Sequence, residues 1–158
     1  HPKPQDFFDI VNEVSGRDMT WFFDQVHRSS NAFDYGVQSV RTEEIPGAAH
    51  AAARHRSMVI VRRHGEAVFP VGLLVTFEGG GTVRENWDGN DRWKAFTYER
   101  GEPAVSAIVD PERVLLLDVD RTNNSFTSEP RSGEAARKWM LKWMVWLQDA
   151  LATYSFFI

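Results

Sequence analysis

The chain has 158 residues, 42% of them hydrophobic and 13% aromatic, enough to bury one core and too few for two independent ones. Its formal charge of -4 is spread over interspersed acids and bases with no basic stripe, so no nucleic acid partner is expected. It contains no cysteine, which excludes disulfides, thiol nucleophiles and thiolate metal sites together.

The opening His1-Pro2-Lys3-Pro4 is neither an initiator methionine nor a basic-then-apolar leader, and the chain reads as a fragment of a longer protein. Phe7, Ile10, Val11 and Val14 recur at helical spacing, which predicts a short helix capped by Asp6 and ended by Ser15-Gly16. Asp18 is placed to cap a second helix. Its Trp21, Phe22, Phe23 and Val26 are too apolar all round for an exposed surface helix, so it needs partners on more than one side.

From Phe33 the pattern alternates, and strands are expected over 36–42, 57–64, 68–77, 81–87, 92–100, 104–109 and 113–119. The third is the clearest: Phe69, Val71, Leu73, Val75 and Phe77 share one face, while Pro70, Gly72 and Thr76 share the other. Pro70 suggests an edge or a bulge. Gly79-Gly80-Gly81 and Asp88-Gly89-Asn90-Asp91 suit turns of positive φ, so the third, fourth and fifth strands are expected to form an antiparallel meander. Glu43 to Ser57 has no β pattern and reads as a mobile connection, with a short Ala-rich helix as the alternative.

Glu134 to about Tyr154 returns to helical spacing, with Trp139, Trp143, Trp146, Leu147, Ala150 and Tyr154 on one face and Lys138, Lys142 and Asp149 opposite. The expected fold is therefore mainly β: a seven-strand antiparallel immunoglobulin- or fibronectin-like β-sandwich, with two short N-terminal helices and one long C-terminal helix. Its expected divisions are 1–32, a helical stub; 33–128, the sandwich; and 129–158, the amphipathic helix.

Residues for catalysis are sought without success. His50 and His55 lie five apart, His64 falls on a strand, and no H-E-x-x-H occurs. There is no G-x-S-x-G elbow, P-loop or G-x-G-x-x-G, so no catalytic or metal residue is expected and no cofactor. One weak calcium series stands out: Asp118, Asp120, Thr122 and Asn124, with Glu129, put oxygens at EF-hand-like intervals, although Asn123 replaces the usual Gly. A strand ending in a polar turn is the simpler reading. The aromatic pairs Trp87/Trp93 and Phe96/Tyr98 flank a turn as a carbohydrate platform would, though cross-strand packing is their commoner use.

Interaction surfaces are expected at Trp21, Phe22 and Phe23 and at Trp139, Trp143 and Trp146 of the long helix. The long helix suits docking on the sandwich, contact with another copy in a homo-oligomer, or a membrane surface, with Arg137, Lys138 and Lys142 toward headgroups. Lys142, Gln148 and Asp149 interrupt it too often for a span.

The junction carries a resemblance. Asp6-Phe7-Phe8, Glu13-Val14-Ser15-Gly16-Arg17-Asp18 and Trp21-Phe22-Phe23-Asp24-Gln25 resemble the end of the catalytic domain of zinc metallopeptidases of the aminopeptidase N (gluzincin) family. Val59 to Pro70, Arg84 to Tyr98 and Val109 to Asn124 look like the β-sandwich that follows in that family. The resemblance covers roughly 6–125 and departs from the family over Glu43 to Ser57 and in the tail helix. It implies a non-catalytic accessory piece of a bacterial zinc aminopeptidase-like parent, membrane-associated or cytoplasmic, whose H-E-x-x-H would precede His1. The implied partner is the peptidase domain of the same parent, with zinc there and not here. The competing readings are a peptide- or carbohydrate-binding module, a membrane-surface adaptor and an independent enzyme.

Overall fold

The computed structural model describes residues 1–46, 54–129 and 132–155. Contacts divide the protein into two units, His1–Ser128 and Glu129–Ile158. The N-terminal helices thus belong with the β domain, and each unit is described by itself.

Helix α1 (Pro4–Ser15) starts with a proline, whose missing N–H costs nothing in the first turn. Asp6 is not the cap: it sits one turn in, where its carboxylate accepts the backbone N–H of Lys3 at 2.7 Å. The helix stops at Gly16, whose φ of 63° is the left-handed conformation glycine tolerates. Helix α2 (Thr20–Val26) follows, capped at Met19, with Asp18 accepting the N–H of Thr20 at 2.9 Å. The two helices close on each other through Phe8 and Phe23, both buried and stacked 4.2 Å apart between ring centroids.

Seven strands follow: β1 (Tyr35–Ile45), β2 (Arg54–Arg63), β3 (Val71–Phe77), β4 (Thr82–Trp87), β5 (Trp93–Arg100), β6 (Ala104–Val109) and β7 (Ser125–Thr127). They form two antiparallel sheets, ordered β1-β2-β5 and β4-β3-β6-β7. The sheets share one core: Tyr35, Val59, Val61 and Phe96 from the first meet Leu73, Val75, Phe77, Trp87 and Val109 from the second. In β3 the alternation read from the sequence is fulfilled, with Val71, Leu73, Val75 and Phe77 all buried.

Four sequence expectations need correction. The third, fourth and fifth strands are not a meander: β3 pairs with β4, but β5 pairs with β2 in the other sheet. The turn after Trp87 crosses sheets because Arg63 draws it over, bonding the carbonyls of Gly89 and Asn90, while Gly89 takes φ 75°. Residues 113–119 are not a strand. Asp110 and Arg113 adopt φ of 50° and 55°, and the Asp110 carboxylate accepts the N–H groups of both Val114 and Leu115 at 2.9 Å. A carboxylate that takes these amides replaces a ladder, and the seventh strand forms later, at Ser125–Thr127.

Pro70 lies at neither an edge nor a bulge; it precedes β3, which is internal to its sheet. Finally, Glu43 to Ile45 and Arg54 to Arg56 extend the β1–β2 pairing, with Arg56 bonded to both Glu43 and Glu99 across the sheet. The rest of the expected connection, 47–53, lies outside the described residues.

In the second unit α3 (Ser132–Ser155) is a continuous helix that buries no residue. Trp143 and Trp146 meet edge to face at 5.4 Å, and the Lys142 ammonium lies 5.8 Å from the Trp139 ring. Among the described residues, no helix is long and apolar enough to cross a membrane.

Candidate functional site

The helix pair is fastened to the β domain by side groups acting as backbone. Residues 67–69 run up to β3 with no strand beside them. The Ala67 N–H goes to the Ala32 carbonyl at 3.1 Å, and two side chains meet others of their polar groups. Gln25 on α2 gives its Nε2 to the carbonyl of Val68 at 2.9 Å and receives the Val68 N–H on its Oε1, the two-point pairing a neighbouring peptide would make. Tyr35, fully buried, accepts the N–H of Phe69 at 2.7 Å and donates to the carbonyl of Ala67 at 3.3 Å. Burial pushes the Tyr35 phenol above its ordinary value, against the pull of the Phe69 N–H.

Beside this lies Arg63, 7% exposed and in no ion pair among the described residues. Its guanidinium donates to the carbonyls of Gly89 (2.9 Å), Gly65 (2.8 Å), Glu66 (3.0 Å) and Asn90 (3.3 Å). A buried cation is costly, and here carbonyl dipoles offset that cost. The loops it joins have no room for a larger residue at Gly65 or Gly89. A Cβ would stand 2.0 Å from the Ala32 carbonyl oxygen at the first and 2.6 Å from the Phe69 carbonyl oxygen at the second.

The aromatic residues expected at an interface divide. Phe23 is buried against α1 and Phe22 packs against the core beside Phe33, so neither is offered to a partner; Trp21 keeps 42% of its surface exposed next to Phe69. On α1 the outward residues are Phe7, Ile10 and Val14, each more than half exposed. The loop after β6 adds Val114, Leu116, Leu117 and Val119, all exposed around buried Leu115. That loop is tied to the helices through Phe33, which bridges to Asp118 and lies 6.5 Å from the Phe22 ring. Trp139, Trp143 and Trp146 of α3 are all exposed.

The calcium series is put to another use. Asp118 accepts the N–H of Asp120 at 3.1 Å and the amide of Asn124 at 2.9 Å. Asp120 accepts both the N–H (3.0 Å) and hydroxyl (2.6 Å) of Thr122, which hold its carboxyl below the usual carboxylate range. These bonds fold the loop onto itself, so the carboxylates serve backbone turns. Glu129 belongs to the second unit. Among the described residues no group of three or more His, Asp or Glu is placed to hold a metal. His55 Nδ1 is within 3.0 Å of the Gly101 carbonyl, His64 is exposed, and His50 lies outside the described residues.

The carbohydrate platform loses its first member, since Trp87 is buried and meets Tyr35 edge to face at 5.4 Å. Tyr98 is half-buried against Phe77, and among the described residues its hydroxyl makes no well-formed hydrogen bond; burial first, then the nearby Glu85 carboxylate, drives its phenol well above the ordinary value. Trp93 alone is open, at 59% exposure. It borders a depression on the outer face of the β1-β2-β5 sheet together with Arg62, Arg63, His64 and Arg92. Gln38 and Ile60 complete the lining. The sequence reading missed this cationic hollow because its members are scattered over three strands, and only the register Gly36↔Arg62↔Trp93 assembles them.

A scan against protein-family models finds no match, and searches of curated proteins and of solved structures find no similar protein.

Proposed function

We propose that the protein is a non-catalytic accessory piece of a larger zinc aminopeptidase-like protein, a β-sandwich of immunoglobulin or fibronectin type that packs beside a peptidase domain and helps wall its cleft. The observation that carries this reading is the double role of the junction. The segment Trp21-Phe22-Phe23-Asp24-Gln25, which carries the resemblance, is also the segment that fastens the helices to the β domain, through Phe22 in the core and Gln25 on Val68. The helix pair then turns Phe7, Ile10 and Val14 outward, away from the Phe8–Phe23 contact. A helix with one apolar side packed and another exposed is suited to lie between two domains.

The test joins genetics to enzymology. The reading frame upstream of His1 is expected to encode an H-E-x-x-H, and the longer product to hydrolyse aminoacyl p-nitroanilides in a zinc-dependent way that residues 1–158 alone do not. An Ile10→Glu substitution in that product should loosen the two domains in limited proteolysis. An upstream frame without the zinc motif, or zinc-dependent hydrolysis by 1–158 alone, overturns the reading.

A further inference from the structure

We propose that the hollow on the outer face of the β1-β2-β5 sheet binds a peptide carboxylate, with Arg62 as the gripping group and Trp93 as the apolar wall. Arg62 and Trp93 are cross-strand neighbours in register, so an indole that is 59% exposed stands beside a guanidinium. Arg62 is exposed and takes part in no ion pair among the described residues. No acidic residue lines the hollow. Of the nearby acids, Glu66 is paired with Arg92 and Asp120 accepts a hydrogen bond from Thr122.

Arg63 beneath adds a second positive charge, hydrogen-bonded to four carbonyls, so the lining of the hollow itself is cationic.

The geometry selects the kind of anion. A single guanidinium fork matches a planar carboxylate in two parallel bonds. A phosphate can take the same fork and is commonly held as well by converging backbone N–H groups or a helix N-terminus. Here the adjoining loop turns its Gly65 and Glu66 carbonyls to Arg63, and the hollow is lined by strand residues with His64 and Arg92 at the strand ends, and not by a helix end. Ile60, half-buried, and Trp93 give apolar support to the residues flanking that carboxylate. A glutamate or aspartate within a peptide and the free carboxyl end of a peptide offer the same group, and the experiment separates them.

Residues 1–158, labelled with 15N, are titrated with N-acetyl-Leu-Glu-Leu-amide, with N-acetyl-Leu-Leu as the free acid, with N-acetyl-Leu-Gln-Leu-amide and with inorganic phosphate, following the Trp93 indole and Arg62 Nε signals. Saturable shifts are expected from at least one of the two carboxylates, and which one responds identifies the source. The glutamine peptide and phosphate should each bind at least about tenfold more weakly than that carboxylate. Arg62→Ala and Trp93→Ala, both exposed positions, should each reduce affinity by a similar factor, and Arg62→Lys, which keeps the charge and loses the fork, should also weaken it. Equal binding of the neutral peptide, equal or tighter binding of phosphate, unchanged affinity in Arg62→Ala, or no saturable shift with either carboxylate overturns the proposal.

Discussion

The helices near the two ends of the protein are built from the same kinds of residue and use them differently. In α1 and α2 two of the phenylalanines disappear into contacts, Phe8 on Phe23, while within its own unit α3 carries Trp139, Trp143, Trp146 and six further large apolar residues between Met140 and Leu151 without burying one. Aromatic content therefore does not decide whether a helix is packed. What α2 has in addition is a polar residue with a defined partner: Gln25 meets both backbone groups of Val68, fixing where the rings must land. In α3 apolar residues follow one another over positions 139–141 and 143–147, so they wrap most of the way round the helix and do not resolve into a single seam.

The contrast can be broken most severely at Phe23. Its truncation to Ala removes a buried ring from between the helices and is expected to cost about 3–5 kcal/mol in denaturant unfolding. Far-UV circular dichroism should lose helix, and Trp21 fluorescence should shift to the red. Next comes Gln25→Leu, which keeps the bulk and strips the Val68 N–H and carbonyl of their partners; about 1–3 kcal/mol should be lost. Hydrogen exchange should then accelerate at Val68 ahead of the core strands.

Tyr35→Phe and Tyr98→Phe sharpen the point, since each removes one hydroxyl, the first from a fully buried ring and the second from a half-buried one. The first leaves the Phe69 N–H without an acceptor and should cost about 1–2 kcal/mol, whereas the second removes a hydroxyl that makes no well-formed hydrogen bond among the described residues and should change stability by less than about 0.5 kcal/mol. The smallest effect is expected in the other helix. Trp143→Glu replaces a residue that is 62% exposed, and the thermal midpoint should stay within what about 0.5 kcal/mol produces. A loss as large as that of Phe23→Ala would erase the distinction between the helices.

The alternating strands were legible wherever burial follows period two, as at Val71, Leu73, Val75 and Phe77. The same reasoning failed over residues 113–119 because Val-Leu-Leu-Leu is apolar enough to look like a strand. Its conformation is set by an acid outside the run, Asp110, whose carboxylate takes the backbone amides of Val114 and Leu115. Strand pairing across the turn after Trp87 was equally hidden, since it depends on Arg63 reaching Gly89 and Asn90 more than twenty residues away. Gln25 and Val68 lie 43 positions apart, and a pattern of local spacings carries no trace of such a bond. The cationic hollow was illegible for the same reason: Arg62 and Trp93 meet only through register.

The bond between Gln25 and Val68 also says where this domain can be divided. A cut before β1, where the strand pattern begins, would take Gln25 away and leave the Val68 amide and carbonyl with nothing to replace them. The smallest piece that could be moved intact into another protein, by recombination or by hand, thus begins no later than α2, and the helical segment behaves less as a linker than as one more strand supplied by a single glutamine.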